Sequence, residues 1–190
     1  MNRRVDAPAA GQRFVVARPS LRALADQHLY SALSSLGRLW QRRGGSAILG
    51  PDGAIYATGH AAILRWDPVR GGVRRFGAES GFQPEGRVFR LRFGPDRTLW
   101  VATEGAGLLR ATFTAGTPAF VQEPIPGGDP RERFTDIWFD RQNRAWAAGS
   151  SGLAVMERGE WRRFTVKDGL KNNNAAFVRS LADGTILLAY

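Results

Sequence analysis

The residues with the clearest capacity for chemistry are hydrogen-bonding side chains in short polar stretches between apolar runs. They are Arg87, Glu104, Arg133, Asn172, Asn173 and Asn174. Arginine presents a rigid fork of N–H donors, and asparagine presents both a donor and an acceptor. Such groups hold a carboxylate or a sugar hydroxyl by directed hydrogen bonds. We therefore predict that they bind a small-molecule or glycan ligand; the alternative is that they are solvated loop residues.

Groupings typical of catalysis or metal binding are missing from the sequence. It has no Gly-x-Ser-x-Gly elbow, no P-loop and no motif of paired carboxylates. His28 lies in an apolar-periodic segment, His60 stands alone, and there is no cysteine, so no zinc or iron site is expected. We predict no catalytic residue, no metal and no cofactor. Four turn side chains are expected to bond their own backbone, with calcium binding as the alternative: Asp52, Asp96, Asn143 and Asp183.

The net charge of +10 is concentrated near the N-terminus. Residues 1–45 hold eight arginines and two aspartates, which leaves a net charge of +4 for residues 46–190. The later arginines are spread along the chain and do not alternate with aromatic residues in a basic stripe. We therefore expect no nucleic-acid partner.

The sequence also contains no segment that predicts membrane insertion or export. No apolar run approaches the roughly 18–20 residues that span a bilayer. Arg18 interrupts the apolar stretch Val15-Val16-Ala17, so the apolar core of a signal peptide is absent. If the chain is complete, these features predict a cytoplasmic protein without a membrane span.

A sequence phrase recurs with variations about every forty-odd residues. Its equivalent central positions, at steps of 44, 46 and 41, are Tyr56, Trp100, Trp146 and Leu187. A second motif agrees, because Gly72–Phe76 and Glu160–Phe164 are 88 positions apart, which is twice 44. A period in this range indicates a repeat architecture.

Alternation of apolar and polar residues predicts four short strands in each repeat. The predicted strands are Ala47–Leu49, Ala54–Thr58, Ala62–Trp66 and Gly72–Phe76; Val88–Phe93, Thr98–Thr103, Gly107–Thr112 and Pro118–Gln122; Phe134–Phe139, Arg144–Gly149, Gly152–Glu157 and Glu160–Val166; then Ala176–Leu181 and Thr185–Ala189. Four antiparallel strands in 40–45 residues form a β-propeller blade. We predict an all-β partial propeller of about three and a half blades, at 46–86, 87–132, 133–174 and 175–190. Trp100 and Trp146 are expected to pack between blades.

Residues 1–45 are predicted to form an N-terminal arm and one amphipathic helix. Apolar residues recur at helical spacing from Leu21 to Trp40, Ser20 stands at the N-cap position, and Gly44-Gly45 follow the helix. The predicted helix spans 21–42, and we expect its apolar stripe to pack on its own domain. A membrane-surface or partner role is the alternative.

The third repeat carries the most complete set of motif residues: Asp140, Asn143, Trp146, Gly149, Gly152-Leu153, Trp161, Phe164 and Asp168-Gly169-Leu170. The second repeat matches through Leu99–Thr103 and Gly107-Leu108, with Arg97 where a turn glycine is usual. The first repeat is weaker, with Tyr56 in place of the tryptophan. Over residues 46–190 this pattern resembles the two-component regulator propeller repeat.

The resemblance implies a sensor. Proteins with these repeats are typically bacterial membrane receptors, in which an extracytoplasmic propeller controls a histidine kinase or diguanylate cyclase output. For this chain, the resemblance implies a non-catalytic ligand-sensing segment on the periplasmic side of the inner membrane. Its partners would be the remainder of the receptor or a second propeller chain.

The predicted number of blades is too small for a closed ring. Propellers usually close with four to eight blades, and an open arc exposes strand edges. We therefore expect the chain to be a fragment of a longer receptor. The alternatives are that the N-terminal segment completes the last blade or that several chains assemble. For the function, two alternatives stay open: a propeller enzyme such as a lactonase, a lyase or a quinoprotein-like dehydrogenase, and a scaffold propeller that binds another protein.

Overall fold

Repeated antiparallel hairpins make up nearly all of the regular structure. A computed structural model describes residues 46–59 and 62–190. The predicted arm, the predicted helix at 21–42 and His60 lie outside the described residues. Within these residues the strands are Ala47–Leu49 (β1), Ile55–Gly59 (β2), Ala62–Trp66 (β3), Val73–Phe76 (β4), Val88–Phe93 (β5), Leu99–Thr103 (β6), Leu108–Thr114 (β7), Thr117–Glu123 (β8), Phe134–Phe139 (β9), Ala145–Gly149 (β10), Gly152–Glu157 (β11), Glu160–Phe164 (β12), Phe177–Ser180 (β13) and Ile186–Ala189 (β14).

The strands form three four-stranded antiparallel sheets and one two-stranded sheet, each in chain order: β1–β4, β5–β8, β9–β12 and β13–β14. Each sheet is one blade or, for β13–β14, part of one. The predicted all-β architecture of partial propeller blades is confirmed. Each predicted strand begins and ends within two residues of an observed one.

Two strand ends differ from the prediction for identifiable reasons. Strand β12 ends two residues early because Thr165 caps a short 3₁₀ turn, in which its backbone N–H donates to Oδ2 of Asp168 at 2.9 Å. Strand β7 extends two residues further because Ala115 and Gly116, with φ of 50° and 77°, form a tight hairpin turn into β8. In both cases, local hydrogen bonding and backbone conformation in the turn determine where the strand ends.

The first strand of each blade is its innermost strand, and hydrogen bonds join these strands from one blade to the next. The N–H of Leu91 on β5 donates to Oγ of Ser46, just before β1, at 3.1 Å. Nε of Arg92 on β5 donates to the carbonyl of Ile137 on β9 at 2.9 Å. The N–H of Val178 on β13 donates to Oδ2 of Asp136 on β9 at 3.1 Å. Each innermost strand is therefore tied to the next.

The apolar core lies between blades. Tyr56 on β2 meets Phe93 of the next innermost strand edge-on, with ring centroids 5.0 Å apart, and Trp100 on β6 meets Phe139 in the same way at 6.0 Å. Trp146 on β10 is buried in a cluster with residues of the last two strands. Large apolar side chains contribute roughly 1.5–3 kcal/mol each when buried. The predicted packing of both tryptophans between blades is confirmed.

In the third blade, an aspartate at the turn between the first two strands holds the buried tryptophan. Oδ2 of Asp140 accepts hydrogen bonds from Nε1 of Trp146 at 2.8 Å and Nε of Arg144 at 2.7 Å. Oδ1 accepts the backbone N–H groups of Gln142 and Arg144, both at 2.9 Å. One carboxylate thus fixes the turn and the central-strand aromatic together.

The expectation that Asn143 forms this turn with its side chain is wrong. Asn143 has a φ of 61° and occupies the left-handed position that Arg97 and Gly53 fill in the other blades, with φ of 65° and 76°. Asparagine tolerates this conformation better than most residues. The hydrogen-bonding role belongs to Asp140, two residues earlier than the aspartates of the other blades.

We predict that Asp140→Asn lowers the free energy of unfolding by about 1.5–3 kcal/mol, because charge-assisted hydrogen bonds are lost. Burial raises the pKa of Asp140, but hydrogen bonds from Trp146 and Arg144 outweigh it and hold the pKa below its usual range. A lowered folded-state pKa adds stability above the unfolded pKa, and this is lost as pH falls through the folded value. Denaturant unfolding of both proteins from pH 7 to pH 2 should show their difference shrinking in acid.

The matched control is Asp183→Asn, because exposed Asp183 accepts a backbone hydrogen bond from Thr185 at 2.9 Å and is bonded to no aromatic ring. Its loss of stability should be smaller. Equal losses in the two variants would contradict the role assigned to Asp140.

The second blade lacks the equivalent bond. The Asp96 carboxylate accepts a hydrogen bond from Oγ1 of Thr98 at 2.7 Å and none from Trp100. Nε1 of Trp100 is buried without a hydrogen-bond partner in the described part of the chain. Gly94 stands where the third blade has Asp140, since the same two backbone hydrogen bonds close both turns. A Cβ on Gly94 would lie 2.7 Å from Oδ1 of Asp96.

Grafting the third-blade arrangement should therefore stabilise the second blade. The double variant Gly94→Asp/Asp96→Gln removes the close contact and supplies an acceptor for Trp100, so we expect the free energy of unfolding to rise by about 1 kcal/mol. Gly94→Asp alone keeps the contact with Asp96 and should lower it. The measurement is thermal unfolding of the parent, the single variant and the double variant. A double variant less stable than the parent would refute the equivalence of Gly94 and Asp140.

Candidate functional site

The predicted binding residues lie at one edge of the blades, the front face, where innermost strands β5, β9 and β13 begin. Val88 at the start of β5 pairs with Thr103 at the end of β6, and Phe134 on β9 pairs with Gly149 at the end of β10. This register places the connections into the innermost strands beside the loops between second and third strands. The opposite edge is the back face.

Arg87 and Glu104 meet on the front face of the second blade. The backbone N–H of Glu104 donates to the carbonyl of Arg87 at 2.8 Å, and the N–H of Arg87 donates to Oε2 of Glu104 at 3.0 Å. The Arg87 guanidinium lies 6.0 Å from the ring of Phe89. One oxygen of the Glu104 carboxylate therefore stabilises the contact between its loop and the start of β5.

Arg133 and Asn174 meet across the third and fourth blades. Nη2 of Arg133 donates to Oδ1 of Asn174 at 2.5 Å, while Nε of Arg133 is buried without a hydrogen-bond partner among the described residues. Oδ1 of Asn172 accepts the N–H of Asn174, and Oδ1 of Asn173 accepts the N–H of Val166, both at 2.8 Å. Each asparagine oxygen thus accepts a hydrogen bond from the protein, and the side-chain NH2 groups remain as donors for a ligand.

A buried ion pair next to these residues was not among the predicted site residues. Nη2 of Arg163 donates to Oε1 of Glu132 at 2.7 Å, and the two side chains are only 10% and 4% exposed. Arg163 also donates from Nη1 to the carbonyl of Ser151 and from Nε to that of Pro126, both at 3.2 Å. Arg163 therefore fixes the connection 124–133 to the third blade.

This connection encloses a cavity of about 400 Å³ on the front face. Its apolar wall includes Leu108, Ile125 and Phe134. Glu132 also lines the cavity, and its Oε2 is buried with no hydrogen-bond partner in the described part of the chain. A buried acceptor left without a donor costs about 1–3 kcal/mol, so a ligand that donates a hydrogen bond there would gain affinity.

A second polar cluster surrounds Asp136 on the innermost strands. Its fully buried carboxylate lies 3.0 Å from Nε of Arg90 and 2.5 Å from Nη1 of Arg179. The guanidinium groups of Arg92 and Arg179 lie 4.4 and 4.5 Å from the centre of the Trp138 ring. Burial lowers the pKa of Arg92, and nearby Arg179 lowers it further, although Asp136 opposes both. This cluster binds three successive innermost strands together.

The back face has a cavity of about 490 Å³ between the first two blades, and four of its polar side chains, on Asp52, Tyr56, Asp96 and Thr98, bond to protein groups. Asp52 accepts Nε of Arg65 at 2.9 Å and the hydroxyl of Tyr56 at 3.1 Å. Burial and then the negative charge of Asp52 raise the pKa of Tyr56 to about 12. Asp96 is bonded to Thr98. These aspartates act as turn residues here, as predicted from the sequence.

Residues 46–59 and 62–190 include no group of three or more histidine, aspartate or glutamate side chains placed to hold a metal ion. In the same part of the chain, no helix is long and apolar enough to cross a membrane.

The sequence contained a usable signal for some of the missed residues. Arg90, Arg92, Asp136 and Arg179 are charged residues inside predicted innermost strands, and a charge there must face the axis or a neighbouring blade. No such signal exists for Glu132 and Arg163, which are 31 positions apart on different elements. Only the packing of two blades brings them together.

Comparison with known proteins agrees with this geometry. No family model matches the chain. It is 26% identical over 133 residues to the chloroplast photosystem II stability/assembly factor of Arabidopsis thaliana, across 65% of this chain and 30% of that protein. Extracellular domains of two hybrid two-component systems from B. thetaiotaomicron superpose with TM-scores of 0.61 and 0.55, at 15% and 18% identity, each over 75% of this chain.

The chain has the fold of these receptor domains. The resemblance to two-component regulator propeller repeats is thereby confirmed at the level of the fold. The chain covers 20% and 19% of the two solved domains. It therefore spans about a fifth of their length, and less than a third of the curated relative.

We predict that Asp136→Asn lowers the free energy of unfolding by about 2–4 kcal/mol, somewhat below the loss typical for a fully buried ion pair, because Arg90 is partly exposed. The variant leaves Arg90 and Arg179 without their shared anion. Adding Arg179→Met to the Asp136→Asn variant should recover part of the loss, since one uncompensated cation is removed. Denaturant unfolding measures this coupling, and strictly additive losses would contradict it.

Proposed function

We propose that the chain is a non-catalytic, ligand-sensing segment of a bacterial signal-transduction receptor, with its ligand bound on the front face. A small-molecule or glycan ligand is the class that the predicted residues favour. The proposal covers Arg87, Glu104, Arg133, Asn172, Asn173 and Asn174 as ligand contacts.

The observation that carries this proposal is the unused hydrogen-bonding capacity of two consecutive residues. Among the described residues, Oε2 of Glu132 and Nε of Arg133 are buried without a hydrogen-bond partner, and both residues are on the connection that encloses the front-face cavity. Buried polar groups in native proteins are nearly always paired. Adjacent exceptions beside a cavity support a site that is completed by a ligand.

The signalling part of the proposal rests on the solved structures that share this fold. The solved neighbours are described as extracellular domains of hybrid two-component systems. A location on the periplasmic side of the inner membrane, in a longer parent receptor, is consistent with this. Enzyme function has no observation in its favour, because the front face assembles arginine, glutamate and asparagine with no nucleophile and base pair among the described residues.

The last sheet supports a partner role for the rest of the receptor or a second propeller chain. Phe177, Leu187 and Tyr190 are 36%, 47% and 46% exposed. By the register of the two-stranded sheet β13–β14, Phe177 and Leu187 lie on the same face, and Tyr190 follows its last residue, so a further blade could cover this face.

The proposal is tested by screening small amines, sugars and carboxylates against the chain by thermal shift and mapping each hit by amide NMR. We expect a binder to perturb residues 104–108, 131–134 and 172–174. For a sugar or carboxylate hit, Arg133→Gln should weaken binding about tenfold, because charge-assisted hydrogen bonds are roughly twice as strong as neutral ones. An ammonium group offers Arg133 no acceptor, so an amine hit should not be weakened by this variant.

The matched control is Arg97→Gln, which makes the same chemical change at an exposed residue of the back-face cavity. It should leave binding unchanged. Hits that perturb only back-face residues, or equal losses in the two variants, would contradict a front-face site.

A further inference from the structure

We propose that the front-face cavity beside Glu132 binds the ammonium group of a small primary amine. This inference rests on the proposed function, since it names the ligand class for one part of the front face. The cavity volume of about 400 Å³ lies in the range of small-molecule sites.

The first argument is the state of the Glu132 carboxylate. Its side chain is 4% exposed, and Oε1 is taken by Arg163 at 2.7 Å. Oε2 has no hydrogen-bond partner among the described residues. Gly128 also lines the cavity, and a Cβ there would meet Nη2 of Arg163 first and would lie 2.6 Å from Oε2 of Glu132. At this position the cavity wall beside the Glu132–Arg163 pair therefore carries no side chain.

The second argument is that the residues that line the cavity offer acceptors and no spare side-chain donor; Arg133, whose Nε is unpartnered among the described residues, is not part of this lining. Pro124, Pro126 and Pro130 line the cavity and have no backbone N–H. Nε2 of Gln122, the side-chain donor in the lining, is used by the carbonyls of Ala106 at 3.1 Å and Pro130 at 2.5 Å. A ligand that binds Oε2 must therefore bring the donor itself.

The third argument is charge. Three carboxylates line the cavity, on Glu123, Asp129 and Glu132. Glu123 pairs with Arg110 at 2.5 Å and Glu132 pairs with Arg163 at 2.7 Å, so one negative charge is left over. That charge is on Asp129, whose Oδ1 accepts the backbone N–H of Arg131 at 2.7 Å. The Arg131 side chain itself lies 3.7 Å from Glu85.

An excess negative charge favours a cation over a neutral donor and disfavours an anion. An ammonium group carries three donors and a positive charge on a compact head. Leu108, Ile125 and Phe134 would contact an apolar body attached to it. A primary amine with a small apolar body meets all of these requirements.

The experiment is calorimetric titration of the 190-residue chain at pH 7 with 2-phenylethylamine. The neutral isostere 2-phenylethanol and the anion phenylacetate serve as matched probes. We expect the amine to bind at least about tenfold more tightly than the alcohol, because a charge-assisted hydrogen bond replaces a neutral one, and phenylacetate not to bind. Amide NMR of the parent protein should place the perturbations at 107–108 and 122–134.

The decisive variant is Glu132→Gln, which keeps the size of the side chain and can still accept from Arg163, but replaces the free acceptor by a donor. It should weaken amine binding at least about tenfold. Glu157→Gln, at an exposed residue of β11, is the matched control and should not change it. If Glu132→Gln does not fold by circular dichroism, Asp129→Asn takes its place, because it removes the unpaired negative charge of the lining and should also weaken binding of the amine relative to the alcohol.

The outcomes separate this inference from the proposed function. Equal binding of the amine and the alcohol at 107–134 would overturn the ammonium assignment but leave a front-face ligand site. No perturbation of 107–134 by any probe would overturn the inference, and the wider screen would still decide the proposed function. Hits confined to the back face would overturn both.

Discussion

The structure depends on packing between blades, because no four-stranded sheet can bury both of its faces alone. Aromatic residues of the central strands carry this contact: Tyr56 meets Phe93, and Trp100 meets Phe139, each across a blade boundary. Burial of such side chains is the largest favourable contribution to folding. The regular repeat length follows from this packing, since each blade must place an aromatic residue at the same position on its central strand to contact the next blade. Substitution of tyrosine for tryptophan in the first blade keeps the contact.

Polar groups then fix the register that this packing requires. Asp140 ties Trp146 to its turn, and Asp52 does the same for Tyr56. On the innermost strands, Ser46 and Asp136 each accept a backbone N–H of the next blade, at Leu91 and Val178. The intervening position is Arg90, which cannot accept a hydrogen bond. It pairs with Asp136 instead, so the junction of the second and third blades is held by an ion pair.

The strands were predictable because alternation and turn residues are local signals, repeated in each blade. The residues whose roles were predicted wrongly or missed depend on backbone conformation and on contacts between elements that are distant in the sequence. Asn143 was aligned with the turn aspartates of the other repeats because its side chain is of the same kind. Its backbone has the left-handed conformation, however, and Asp140 makes the hydrogen bonds. Of the site residues, Arg133 and Asn174 do meet, across two blades. Glu132 and Arg163 could not be paired from the sequence, since strands β9 to β11 separate them along the chain and no period relates them.

The two faces differ in a way that follows from chain connectivity. Turns on the back face are short hairpins, which satisfy their polar groups within a few residues, as Asp52 and Asp96 do. The connections 77–87, 124–133 and 165–176 all lie on the front face, where each crosses from an outermost strand to the next innermost one. Such long connections must find partners on neighbouring blades, as Arg163 does for 124–133. Incomplete pairing is therefore expected on the front face, and the unpartnered atoms of Glu132 and Arg133 lie there. The constraint that builds the propeller thus also gathers the long connections on one face.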